Sequence, residues 1–195
     1  MLKNVNVDVR AVSMPNRAHP VTFGTVLFLA SELMFFAALF ATYYDLRAID
    51  MRWPQPGVHL DPVEATIGTA FLFVASLVMV KSMQALQRSR FAAARWWTAA
   101  AIAAALAFIV LSLRGYADSG IALWTSAYGS IYYTLTGFHL LHVLVGIGIL
   151  TAFLIGARSQ ALLAYQRQGA EAMTYYWHFV FVVWLGIWVT VYFIR

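Results

Sequence analysis

Residues 21–40 read VTFGTVLFLASELMFFAALF, twenty positions carrying a single charge, Glu32, near the middle. A stretch of that length and apolarity matches a helix crossing the hydrocarbon core of a bilayer. Glu32 would then lie in lipid. Its neighbours from Phe28 to Phe36 include no basic residue, so the carboxyl must face other helices or be protonated. A charged carboxylate at the centre of a membrane helix costs roughly 2.5–3.5 kcal/mol, which makes such an acid a functional candidate by default. The competing reading is a neutral Glu32 hydrogen-bonded inside a helix bundle.

Working outward from this segment, four further stretches qualify as spans. The five are 21–43, 65–86, 96–113, 131–155 and 174–193. Tyr43, Tyr44, Trp96, Trp97, Tyr132, Tyr133, Tyr175, Tyr176 and Tyr192 fall near their ends, where amphipathic rings favour the headgroup layer. Composition agrees: of 195 residues, 62% are hydrophobic and 11% charged, and the mean hydropathy is +0.73, outside the range of soluble domains. The expected fold is an all-α integral membrane bundle of five transmembrane helices, a single domain over 1–195. Residues 1–20 contain Lys3, Asp8, Arg10 and Arg17 and no signal-type apolar core, so they are expected to form a cytoplasmic segment with no cleaved leader.

The chain has no cysteine, which excludes disulfides, iron–sulfur clusters, thiolate zinc sites and cysteine-ligated copper. Its net charge of +5 would suggest nucleic acid in a soluble protein, but here the basic residues lie mostly in loops. Lys3, Arg10, Arg17, Lys81, Arg88, Arg90, Arg95, Arg158 and Arg167 fall on one side of the spans. Arg47, Arg52, Arg114 and Arg195 fall on the other. The positive-inside rule places the N-terminus in the cytoplasm and the C-terminus outside.

The connections are locally specified. Trp53-Pro54-Gln55-Pro56-Gly57 is a rigid turn-forming stretch, and Asp61-Pro62-Val63-Glu64 reads as an N-cap, a first-turn proline and a capping-box acid opening the second helix. Seven alanines between Ala99 and Ala107 should let the third helix approach a neighbour closely, and Gly137, Gly146 and Gly148 should do the same for the fourth. Neither an internal repeat nor a low-complexity linker is present, so an inverted-repeat transporter is not indicated.

His139, His142 and His178 lie within or beside the last two spans. The first two are three residues apart and should project from one face of the fourth helix about a turn apart. Imidazole ligates haem, copper and iron, and His178 is the conceivable second ligand of a bis-imidazole haem, but the crowding Phe138, Leu141, Phe179 and Phe181 favour helix-to-helix hydrogen bonding. His19 and His59 have no ligand-like company. Arg114 ends the third span and reads as an interface or lipid-phosphate anchor, with Asp118 one turn on as an i, i+4 partner. There is no phosphate loop, nucleophile elbow, His-Glu-x-x-His or carboxylate pair within a span. The residues alone describe a noncatalytic helical membrane subunit, or a small channel or transporter with one buried acid.

Four stretches together resemble subunit III of the haem–copper respiratory oxidases, the cytochrome c oxidase subunit 3 family. They are Ser31-Glu32-Leu33-Met34-Phe35-Phe36; Trp53-Pro54-Gln55-Pro56-Gly57 running into Leu60-Asp61-Pro62-Val63-Glu64; Tyr128-Gly129-Ser130 through Thr136-Gly137-Phe138-His139-Leu140-Leu141-His142-Val143; and Tyr176-Trp177-His178-Phe179-Val180 with Trp184. Their order and spacing across residues 20–195 carry the resemblance. It implies the five-helix bacterial form of the fold and a noncatalytic subunit in the bacterial cytoplasmic membrane. Such a subunit has no cofactor of its own and docks on a catalytic subunit I, beside an electron-entry subunit II, where haem and copper reside. It supports proton uptake and turnover stability and holds phospholipids among its helices.

By position, the resemblance makes Glu32 the family's membrane-buried carboxylate and His139, His142, Trp177 and His178 motif residues for packing and subunit contact, not metal ligands. Departures are Phe181 where members commonly carry an acid, Leu140 where a glycine is common, and the loss of a glutamine and a glutamate near Leu113–Ala117. These leave open a subunit III-like accessory protein of a nitric oxide reductase; an independent proton or solute transporter using Glu32 is the third reading. No acid or histidine continues a relay along the first span, so Glu32 reads as a mostly neutral bundle carboxyl acting on the contact with a catalytic neighbour.

Overall fold

A computed structural model of the chain describes residues 20–50, 52–156 and 163–194. Five helices run through them: α1 (Pro20–Ile49), α2 (Pro62–Gln87), α3 (Phe91–Asp118), α4 (Ala127–Gly156) and α5 (Leu163–Trp188), the last continued by a π-helical turn, Val189–Phe193. No strand occurs among the described residues. Each helix contains a window long and apolar enough to cross a bilayer, so the chain is the five-helix membrane bundle expected. The first four helices overrun the predicted spans at both ends, and α5 overruns its span at the start only, its π-helical continuation ending at 193 as predicted. An apolar window measures only the hydrocarbon, about 30 Å, whereas a 30-residue helix such as α1 reaches about 45 Å and carries its hydrogen-bonded backbone through both headgroup layers. Of the segment 1–20 assigned to the cytoplasm, Pro20 begins α1, and residues 1–19, together with Arg158 and Arg195, lie outside the described residues.

Residues Asp61 and Pro62 start α2 as the sequence predicts. The Asp61 carboxylate accepts the Val63 N–H at 2.8 Å, and Pro62, which has no N–H to satisfy, occupies the first helical position. Glu64 departs from the expected capping box: its Oε1 lies 3.7 Å from Nε of Arg114 on α3. The first turn of α2 and the last turns of α3 sit at the same depth, so Arg114 finds an acid across the helix pair rather than Asp118 on its own helix.

The pair α2 and α3 forms the most extensive helix contact, closed by the short link through Ser89, which takes a left-handed φ of 57°. Ala94, Ala101 and Ala105 are buried in α3. Between the helices, Ser82 Oγ lies 2.8 Å from Thr98 Oγ1, and both hydroxyls reach the Ala94 carbonyl. The alanine-rich span therefore does bring two backbones together, although Ala100 and Ala103 face outward.

In the middle of the bundle, α5 touches α1, α2 and α4; α4 also touches α1 and α3. The buried share of the apolar window is largest in α5, at 44%, and smallest in α1, at 6%, which leans on the bundle from one side. Of the three glycines expected to allow close approach in α4, only Gly146 does: a Cβ there would meet the rings of Tyr176 and Trp177 at 3.1 Å, whereas Gly137 and Gly148 have nothing within 4 Å. Beyond the helix ends, the Trp53 ring packs edge-on between Tyr43, at 5.2 Å, and Tyr128, at 4.9 Å, so the turn-forming stretch plugs the end of the bundle.

Candidate functional site

Glu32 projects from α1 toward α4, where its Oε2 lies 2.9 Å from Nε2 of His142. The isolated acid of the sequence therefore has a partner, from a helix 110 residues away. Nδ1 of the same imidazole lies 2.7 Å from the carbonyl of Phe138, one turn back. A carbonyl only accepts, so Nδ1 carries a hydrogen, and a neutral His142 presents Nε2 as an acceptor. Two proton arrangements then suit the contact. Either a protonated Glu32 donates O–H to neutral His142, or His142, doubly protonated, donates Nε2–H to the carboxylate. The pair holds one proton in common, and in both forms Glu32 is hydrogen-bonded, which is how a carboxyl is tolerated among apolar helices.

Neighbouring groups fix this pair from both sides. The Tyr176 hydroxyl of α5 donates to the His142 carbonyl at 2.8 Å, the Phe36 ring stands 5.1 Å from the imidazole, and Phe35 packs edge-on against Phe138 at 5.0 Å. The side chains of Glu32 and His142 retain 22% and 14% exposure, so the pair reaches the surface between α1 and α4 rather than the bundle axis.

His139 does not join it. Three residues along an α-helix is 300° of rotation, and the remaining 60° turns His139 from α1 into the core. There it is fully buried, stacked on Trp184 at 5.1 Å with a 28° tilt and edge-on to Phe108 at 5.9 Å. Trp184 is itself anchored, its Nε1–H donating to Thr69 Oγ1 at 2.8 Å, while Thr69 donates to the Ala65 carbonyl. His178 points to α2, with Nδ1 2.6 Å from Ser76 Oγ. Trp177 is buried against Gly146.

The candidate residues thus form separate helix-to-helix contacts: Glu32 with His142 joins α1 to α4, His178 with Ser76 joins α5 to α2, His139 packs at the α3–α4–α5 junction, and Arg114 sits at a helix end. The geometry does not bring His139 and His178 together as an axial pair. No group of three or more His, Cys, Asp or Glu that could hold a metal ion occurs among the described residues. Thr69, Ser76 and Tyr176 complete these contacts; the sequence marked Tyr176 only as a span-end aromatic and motif residue, and did not mark Thr69 or Ser76. A lone hydroxyl in an apolar helix is a weak signal; what marks Thr69 and Ser76 is that polar side chains in membrane helices gather at helix interfaces.

Such a chain is a multi-pass helical membrane protein whose buried polar groups tie helix to helix. Comparison with known proteins gives it a family. The family model for cytochrome c oxidase subunit III matches residues 12–195. A cytochrome c oxidase subunit 3 of Corynebacterium diphtheriae is 34% identical over 97% of both chains. A probable cytochrome c oxidase subunit 3 of Mycobacterium bovis is 34% identical over 92% of this chain and 91% of its own, and one of Synechocystis is 32% identical over 95% and 83%. The chain belongs to the cytochrome c oxidase subunit III family.

Proposed function

We propose that this chain is the noncatalytic subunit III of a haem–copper terminal oxidase in aerobic respiration, embedded in the bacterial cytoplasmic membrane with its N-terminus inside. The observation that carries this reading is the family match over nearly the whole chain, with relatives named as oxidase subunits aligned along most of their own length. The site supports a supporting rather than a redox role. Its imidazoles are engaged with a carboxyl, a hydroxyl and aromatic rings. The catalytic subunit I and the electron-entry subunit II are the partners, with haem and copper in them, and phospholipids are held among the helices of this chain.

In this reading Glu32 and His142, at the surface between α1 and α4, act on the contact with the catalytic subunit, and the subunit sustains proton uptake and durability in turnover. Affinity purification of the tagged chain from its own membranes tests it. Co-purification of two larger subunits with an oxidase haem spectrum is expected, as is faster inactivation during oxygen reduction after the chain is deleted. Recovery of the chain alone, or with a nitric oxide reductase, would replace the reading.

A further inference from the structure

Between α2, α3, α4 and α5 lies a partly open cavity that runs from Leu60 and Asp61 at the start of α2 down to His139 in the core. We propose that this cavity is a water inlet that ends on His139, entered from the end of the bundle that carries Asp61 and Glu64. Its ligand is water, one or two molecules that solvate the buried imidazole.

Three observations meet there. First, neither Nδ1 nor Nε2 of His139 hydrogen-bonds a protein group, although the side chain is 99% buried, its exposure being 1%. A neutral imidazole has one donor and one acceptor, and leaving both without a partner in a core is a free-energy cost that native interiors almost always avoid. The ring has no freedom to turn away, since Trp184 covers its face and Phe108 meets it edge-on, and Trp184 is held by Thr69.

Second, the cavity offers water centres about 30 Å³. One water occupies on the order of 10–15 Å³ by that measure, so the space suits two. Third, the walls supply the two to four polar partners that an internal water requires. Ser112 and Tyr116 of α3 and Thr136 of α4 line it beside Glu64 and Asp61. The hydroxyl hydrogens are already directed, Ser112 to the Phe108 carbonyl, Thr136 to the Tyr132 carbonyl and Tyr116 to Thr136 Oγ1. Their remaining oxygen lone pairs therefore face water as acceptors. Apolar cavities stay dry, whereas this one has an acid at its mouth, hydroxyls along it and an imidazole at its end.

The inlet is distinct from the Glu32–His142 pair, which faces α1 on the other side of α4. Water-edited solid-state NMR on the full chain in lipid nanodiscs, with histidine labelled in ¹⁵N, tests the proposal. The His139 ring signals, assigned by their loss in His139→Gln, should receive water magnetisation at a rate approaching that of His59 in the first loop. Gly115 lines the cavity and a Cβ there meets nothing within 4 Å, so Gly115→Phe should fill it, slowing transfer to His139 several-fold and leaving His59 unchanged. Ser112→Leu is the second plug should Gly115→Phe not fold. Absence of transfer to His139 in the unmodified chain overturns the proposal. So does undiminished transfer in the plugged variants, which would bring the water from elsewhere.

Discussion

Oε2 of Glu32 and Nε2 of His142 stand 2.9 Å apart, and the carbonyl of Phe138 fixes the hydrogen on the opposite ring nitrogen. The acid in lipid is therefore half of a proton-sharing pair. That relationship determines which substitutions the position tolerates. In Glu32→Gln an amide N–H takes over donation to Nε2, so the contact persists without the shared proton. Interhelical hydrogen bonds in membranes average roughly 0.6 kcal/mol, so the expected change in stability is under about 1 kcal/mol. Assembly and oxygen reduction by the complex should remain largely intact, as measured by subunit stoichiometry and an oxygen electrode. Complete loss of electron transfer in Glu32→Gln would refute this view of the pair. Glu32→Leu, by contrast, leaves Nε2 of His142 without a partner and should cost about 1–3 kcal/mol in thermal denaturation.

Thr69 makes a second prediction, because its hydroxyl accepts the Trp184 N–H at 2.8 Å within the core. Thr69→Val keeps the shape and removes the acceptor, orphaning a buried donor. The expected loss is about 1–3 kcal/mol, with Thr69→Ser close to the unmodified chain. Thermal unfolding of the purified complex, followed through the tryptophan signal, distinguishes them. Equal melting of Thr69→Val and Thr69→Ser would show that the hydroxyl carries no weight.

The difference between Glu32 and Thr69 marks how far the sequence could be read. The number of spans was legible from apolar length, the start of α2 from Asp61 and Pro62, and the family from four ordered motifs. Glu32 stood out because a charge in a twenty-residue apolar run is costly wherever it lies. Its partner did not, since nothing local links residue 32 to residue 142, and the i, i+3 spacing suggested a single face for His139 and His142 that the 60° offset divides between α1 and the core. Glycine was ambiguous for the same reason: Gly137, Gly146 and Gly148 look alike in sequence, and only the arrival of α5 selects one.

That selection is testable. A Cβ at Gly146 would lie 3.1 Å from two aromatic rings that are themselves buried, so Gly146→Val must displace Tyr176 or Trp177. Overpacking of this kind typically costs about 1–3 kcal/mol. Gly148→Ala meets open space and should be neutral or slightly stabilising, as expected where alanine replaces glycine within a helix. Because Tyr176 donates to the His142 carbonyl, Gly146→Val should also loosen the α4–α5 contact, read as faster amide exchange around His142. Indistinguishable stability of the two variants would count against the packing seen here.

At the end of the bundle, two acids one turn apart should behave differently. Asp61 satisfies an otherwise orphaned N–H at the start of α2, and Asp61→Ala should cost about 0.5–2 kcal/mol, with Asp61→Asn retaining most of the cap. Glu64 instead faces Arg114, whose side chain is 69% exposed at a separation of 3.7 Å. Exposed ion pairs are screened by salt and contribute about 0–1 kcal/mol, so Arg114→Ala should change stability by less than the loss of the cap. Raising the salt concentration should erase the remaining effect of Arg114→Ala and leave that of Asp61→Ala, because the cap is a short, directed hydrogen bond within one turn. Thermal denaturation of both variants at low and high salt gives the comparison. An Arg114→Ala loss that exceeds that of Asp61→Ala and survives high salt would mean that the guanidinium is held by more than Glu64, and would point to a bound lipid phosphate at that corner.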